Sequence, residues 1–105
     1  MNLTAISKDE FLAKVQETDI TLVDFSAVWC PPCKALHPIL DELSQDLGPA
    51  IPIHMIDVDE SPDVTSAYGV MSMPTVILFK NGEPVERIIG LRPKSVYQQA
   101  IQKLI

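Results

Sequence analysis

The sequence predicts an α/β domain: a central mixed sheet of four to five strands, flanked by about four helices that cover both faces. Three observations carry this. Helical and strand-like patterns alternate in the order helix, strand, helix, strand, helix, strand, strand, helix. The first strand-like run is apolar on both of its alternating sides, as in a strand buried between two helical layers. Late in the chain, two strand-like runs flank the turn dipeptide Asn81-Gly82, which marks a hairpin.

Taken in order, residues 3–6 form a possible short strand. "ISKDEF" then opens a helix, with Ser7 as N-cap, Glu10 as its reciprocal partner, and Ile6 and Phe11 spaced as a hydrophobic staple. That helix reaches about Glu17. "ITLVDFSAV" is the doubly apolar strand. From Cys30 to Leu47 an apolar stripe of Ala35, Leu36, Ile39, Leu40, Leu43 and Leu47 predicts a helix, stopped by Gly48-Pro49. "IPIHMIDV" is a second apolar strand. "SPDVTSAY" starts a short helix, with Ser61 as N-cap and Pro62 at the first helical position, and Gly69 ends it. "TVILFK" and "VERII" form the hairpin across "NGEP". "PKSVYQQAIQKL" closes the chain as a helix with Val96, Tyr97, Ala100, Ile101 and Leu104 facing inward.

The 105 residues suit one domain spanning 1–105, and an apolar fraction of 47% argues against disorder. No apolar run approaches the roughly 18 to 20 residues that span a bilayer. The first residues show no basic stretch leading into an apolar one, so the sequence predicts no signal peptide and a cytoplasmic address. Structural disulfides are rare there, and a cysteine pair is more often catalytic or metal-binding. The formal net charge is -6, and no Lys or Arg occurs between Ala35 and Phe79. Such a surface repels phosphate, which excludes nucleic acid and anionic membranes as partners and otherwise serves solubility.

The two cysteines of the chain lie in "AVWCPPCKALHP". Cys30 and Cys33 could form a redox centre, half a metal site or a rigid turn. Residues three apart share one helix face with Cβ atoms about 5 to 6 Å apart. A small adjustment brings them to the roughly 3.5 to 4.5 Å that a disulfide needs. The preceding strand delivers Cys30 to the helix N-terminus, where unpaired N–H groups and the helix dipole favour a thiolate. Cys33, one turn in, is more shielded. A nucleophilic Cys30 and a resolving Cys33 then follow from thiol–disulfide exchange. Zinc would need four ligands, and only His37 and His54 remain, without paired spacing. Taken singly, each histidine reads as an ordinary surface or core residue.

"LVDFSAVWCPPCKALHPILDEL" resembles the active-site segment of thioredoxins, usually VDFWAxWCGPCK. "DVDESP", "YGVMSMPT", "LFKNGE" and "IIG" follow at matching distances, so the resemblance covers essentially the whole chain. It implies the thioredoxin fold and a monomeric protein-disulfide reductase. Such a protein accepts electrons from a reductase such as thioredoxin reductase, passes them to protein disulfides, and needs no cofactor beyond its Cys30–Cys33 pair. Alternatives are a thiol oxidase or isomerase of the same family, which differs in redox potential, and a protein-binding module of the same fold, against which the intact cysteines argue.

The resemblance also assigns neighbours. Asp24, in the buried strand, should titrate high because burial disfavours its charge. Structurally it could be a carboxyl satisfied by hydrogen bonds, but the resemblance sets it behind the cysteines as proton acceptor and donor for Cys33, through water. Pro74 matches a proline held cis opposite the cysteines, against the usual trans preference. This leaves the Met73 backbone free to pair with an extended substrate. Trp29, Met71, Gly90 and Leu91 complete a shallow apolar groove, with Trp29 a partly exposed shelf. Lys34 adds at most a slight local potential. Pro38 should kink the helix.

Three positions depart from the family pattern. Met55 stands where a lysine near Asp24 is common, which should leave Asp24 more often protonated. Ser26 replaces an aromatic residue and opens space beside the site. Pro31 replaces glycine ahead of Pro32. Both prolines fall in the first helical turn, where N–H groups lack helical partners, and Pro31 removes one donor to the Cys30 thiolate. The sequence therefore predicts a less acidic Cys30 and a more reducing protein than glycine would give.

Overall fold

The computed structural model describes residues 4–105. Helix α1 (Lys8–Glu17) opens on a complete capping box: Glu10 N–H donates to Ser7 Oγ at 3.2 Å, and Ser7 N–H donates to Glu10 Oε1 at 3.0 Å. Two donors left over at the helix start are thereby satisfied. Ile6 and Phe11 join one core, as a staple requires. The possible strand at 3–6 reduces, among the described residues, to a single bridge between Ala5 and Met55, with Ile6 N–H donating to Met55 O at 2.9 Å. Ser7 follows directly as the cap, which stops the ladder. Residue 3 lies outside the described residues.

Strand β1 (Ile20–Ser26) lies inside the sheet, whose order is β2-β1-β3-β4. It runs parallel to β2 (Ile53–Asp57) and antiparallel to β3 (Thr75–Lys80), which pairs antiparallel with β4 (Glu83–Ile89). All seven β1 residues are buried. Successive strand side chains point to opposite faces. Val23 and Phe25 enter a core with Phe11 and Val15 of α1 and Val64 of α3 (Pro62–Ala67). Leu22 enters the other core, with Leu36, Leu40 and Leu43 of α2 (Pro31–Leu47) and Tyr97 and Ile101 of α4 (Lys94–Gln102). Asp24 and Ser26 alternate in phase with Leu22, so they face α2.

Several local expectations are corrected. Ala35, placed on the inward stripe, is exposed. It lies about 100° round the helix from Leu36, and Leu36, Leu40 and Leu43 cover the sheet, with Ile39 and Leu47 packed at the margin of that core. Ser61 is the N-cap of α3, but its side chain makes no cap bond. Its ψ of 62° departs from the extended geometry that lets a cap oxygen reach back to the first turn. The Asp57 carboxylate instead accepts from Asp59 N–H at 2.9 Å and Glu60 N–H at 3.4 Å just upstream. Strand β4 begins at Glu83, two residues ahead of "VERII". Pro84 is tolerated because β4 is an outer strand and the register shifts between Leu78 and Phe79. The turn itself has Asn81 and Gly82 at φ 52° and 82°, the pair of positive values of a type I′ turn. A Cβ on Gly82 would lie 2.2 Å from Gln16 Nε2, the mobile end of a long side chain that can swing away, so it is the positive φ that calls for glycine here. Pro38 lies inside α2, where it withholds one helical N–H donor.

Candidate active site

Strand β1 and the bend after it deliver Cys30 to the N-cap of α2, with extended backbone (φ −101°, ψ 107°). Cys30 and Cys33 are disulfide-bonded, with Cα atoms 5.3 Å apart, inside the usual disulfide range. Pro31 and Pro32 occupy the first two helical positions, where fixed φ suits the helix and a missing N–H breaks no helical bond. The first-turn donor that remains is Cys33 N–H, and it points at Cys30 Sγ from 3.3 Å. Cys33 is fully buried. This is an arrangement that stabilises charge on Cys30 from the backbone while shielding its partner.

Across from the pair, Met73 O lies 3.8 Å from Cys30 Sγ, and the Met73–Pro74 peptide is cis. Gly90 N–H donates to Pro74 O at 2.8 Å, which ties the end of β4 to this loop. Around it the surface is apolar and open: Trp29 is 60% exposed, Met71 92% and Leu91 44%. Val28 and Ile89 are also exposed. The sequence reading did not single them out, because an isolated apolar residue next to a strand end reads as core. A depression of about 360 Å³ beside Met71 and Met73 is floored by Val58 and Val70. The Trp29 indole N–H donates to Asp59 Oδ2 at 2.7 Å. Asp59 sits in the turn that Asp57 holds, so two carboxylates of "DVDESP" set the orientation of the indole.

Asp24 is completely buried. Burial raises its titration from 3.8 to about 7, and neither carboxyl oxygen has a hydrogen-bond partner among the described residues. Met55 is its register partner on β2 and brings no charge. What approaches Asp24 instead is His37: its Nε2 stands 3.7 Å from Asp24 Oδ2 and 3.4 Å from Ser26 Oγ. Burial lowers the His37 pKa from its ordinary value. The space that the small Ser26 leaves is thus partly filled by His37. The rest is a cavity of about 340 Å³ lined by Ser26, Val28, Lys34, His37, Met55 and Asp57. Read from the sequence as an ordinary residue, His37 is a member of the site. His54 is on β2 one residue from Ile53 and in phase with Ile56 of the other core, and it interacts with Lys14, Glu17 and Glu10. The two histidines therefore face opposite sides of the sheet. No group of three or more His, Cys, Asp or Glu among the described residues could hold a metal ion.

The family model described as Thioredoxin matches residues 2–103. A thioredoxin of Staphylococcus epidermidis is 41% identical over 103 residues, 98% of each chain. Thioredoxin M4, chloroplastic, of Arabidopsis thaliana is 41% identical over 101 residues, 95% of this chain and 52% of that protein. Among solved structures, a mutant thioredoxin from Halobacterium salinarum NRC-1 superposes with a TM-score of 0.88 at 34% identity, covering 97% of this chain and 88% of the other. Plasmodium falciparum thioredoxin superposes with a TM-score of 0.86 at 33% identity, covering 98% of each.

Proposed function

The chain belongs to the thioredoxin family, and from that premise we propose that this thiol-disulfide oxidoreductase works as a reductant of protein disulfides. The observation that carries the reading is Cys30 at the N-cap of α2, with Cys33 N–H directed at its sulfur. A thiolate is best stabilised there, and a thiolate is the attacking species.

The Cys30 thiolate attacks one sulfur of a substrate disulfide, forms a mixed disulfide and expels the first substrate thiolate. Cys33 loses its proton to Asp24, through water, and attacks Cys30 Sγ. The second substrate thiolate leaves, and both leaving thiolates take up protons. Two electrons pass from the dithiol to the substrate, and the protein ends as the Cys30–Cys33 disulfide. Asp24 suits the proton step because it titrates near neutrality. The substrate lies extended along Met73, its side chains on Trp29, Met71, Gly90 and Leu91, opposite Pro74. Pro31 and Pro32 tune the potential. A reductase of the thioredoxin reductase kind returns the electrons. The whole chain, 1–105, acts as one monomeric domain in the cytoplasm and needs no cofactor. No helix among the described residues is long and apolar enough to cross a membrane.

Equilibration with glutathione tests the direction of flow. A potential well below that of the glutathione pool is expected; one well above it makes the protein an oxidant or isomerase. Cys30→Ser should abolish reduction, and Cys33→Ser should trap the mixed disulfide. A Cys30→Ser, Cys33→Ser double variant that still did the biological work would favour the binding module instead.

A further inference from the structure

We propose that His37 relays the proton of Asp24 to and from the cavity between α2 and β2, so that the proton released by the resolving step leaves on that side of the molecule. The inference rests on the reductase reading above and adds a residue to it. His37 acts through Asp24 and is a positioning residue for that proton.

Three independent observations meet here. Asp24 is sealed from solvent and has no hydrogen-bond partner among the described residues, yet any acid–base role requires it to exchange its proton with water. His37 Nε2 is 3.7 Å from its Oδ2, within reach of a hydrogen bond after a small side-chain adjustment. The His37 side chain is one-third exposed and lines the cavity of about 340 Å³, so one ring touches both the buried acid and the open space.

The alternatives around Asp24 are few. Ser26, its neighbour on β1, shares His37 Nε2 at 3.4 Å. Met55 of β2 and Val76 of β3 are its register partners, and neither titrates. From α4, the Tyr97 hydroxyl senses Asp24's charge, but it donates to Gly90 O at 3.4 Å, and burial raises its pKa above an already high value. Cys33, in the first turn of α2, is the group the proton comes from. Lys34 of α2 and Asp57 of β2 line the cavity itself and set its local field. His37 is the imidazole among these, a ring that can accept a proton at one nitrogen and release one from the other. The Asp24 O–H donates to Nε2, the ring's other nitrogen releases its proton into the cavity, and the reverse sequence restores the acid. One proton enters and one leaves, and no electrons move. Burial raises Asp24 to about 7 and lowers His37 below its ordinary value, so the ring is the weaker base of the two and holds the proton only in passing between Asp24 and the cavity.

The test is single-turnover reduction of a disulfide-linked peptide by the reduced protein in dilute buffer, followed across pH by Trp29 fluorescence. His37→Ala should slow the resolving step about tenfold near neutrality, less than the 10² to 10⁴ of a direct general acid–base group. It should also flatten the pH profile there. Added imidazole, small enough for the cavity, should restore the rate in His37→Ala and leave the wild type unchanged. His37→Gln, which keeps polar volume against Ser26, should be slowed alike. In an Asp24→Asn background, His37→Ala should change nothing further. Both His37 variants keeping the wild-type rate and profile would overturn the relay, as would a slowed His37→Ala that imidazole does not restore. A wild type that reduces the peptide at no pH would sink the reductase reading itself, which keeps the two failures apart.

Discussion

At the scale of single residues, the prolines between the cysteines set how strongly the backbone holds a thiolate. With Pro31 and Pro32 at the first two helical positions, Cys33 N–H is the first-turn donor left to Cys30 Sγ. Pro31→Gly returns one N–H. A backbone donor and dipole contribution of about 0.3 to 1 kcal/mol stabilises the reduced form and makes the protein more oxidising by about 5 to 20 mV. Equilibrium with glutathione reads this directly, and an unchanged or more reducing variant would contradict the argument. Asp24 works on stability. Folded, it titrates at about 7; unfolded, near 3.8. Between these values the folded chain holds a proton that the unfolded chain has lost. Stability therefore falls as pH rises through that window and levels off above it. Asp24→Asn carries no such charge. It should match the wild type near pH 4 and exceed it above pH 8 by about 2 to 4 kcal/mol. Urea denaturation at the two pH values checks this; an equal difference at both would mean that ionisation is not the cause.

At the scale of elements, the β1–β2 register decides what Asp24 meets. Parallel pairing sets Met55 beside it on the same face. An opposite charge within a few ångströms holds a carboxylate ionised. Met55→Lys should draw the Asp24 titration from about 7 toward about 6. Carboxyl NMR of both proteins measures it, and equal values would show that the side chain at 55 turns away. Much at this scale was legible. The capping box at Ser7 and Glu10, the two-sided β1 run and the Asn81-Gly82 turn each depend on residues close in sequence, and each formed as read. The misreadings were also local in cause. Ala35 is apolar but small, so its place on a stripe says little about which way it faces. Ser61 is a good cap residue whose backbone turned the wrong way, and Asp57, four residues upstream, satisfies nearby donors in its place. Nothing in the composition distinguishes these two acceptors before the loop's dihedrals are fixed.

At the scale of the whole molecule, proximity arises that no spacing encodes. The family pattern pointed to Cys30, Cys33 and Asp24, and Ser26 marked a space without saying what occupies it. His37 fills it because α2 crosses the sheet on the face to which β1 turns Asp24 and Ser26, a consequence of packing angle rather than of sequence distance. The same packing makes the molecule one cooperative unit. The two cores lie on opposite faces of β1 and β3 and share no helix beyond the first turn of α2, yet neither can persist without those strands. Phe11 anchors one core through edge-on contacts with Tyr68 and Phe79, each at 5.6 Å. Leu43 anchors the other beneath α2. Phe11→Ala should cost about 3 to 5 kcal/mol and Leu43→Ala about 2 to 5. Because the sites lie on opposite sides of the sheet, the two losses should add to within about 0.5 kcal/mol. In each variant, backbone circular dichroism and Trp29 fluorescence, the latter reporting from the cysteine end, should lose signal at one common midpoint. Separated midpoints in the Leu43 variant alone would mean that the α2–α4 core opens while the other persists. The sheet would then couple the faces less tightly than the shared burial of Leu22, Val23, Leu78 and Phe79 requires.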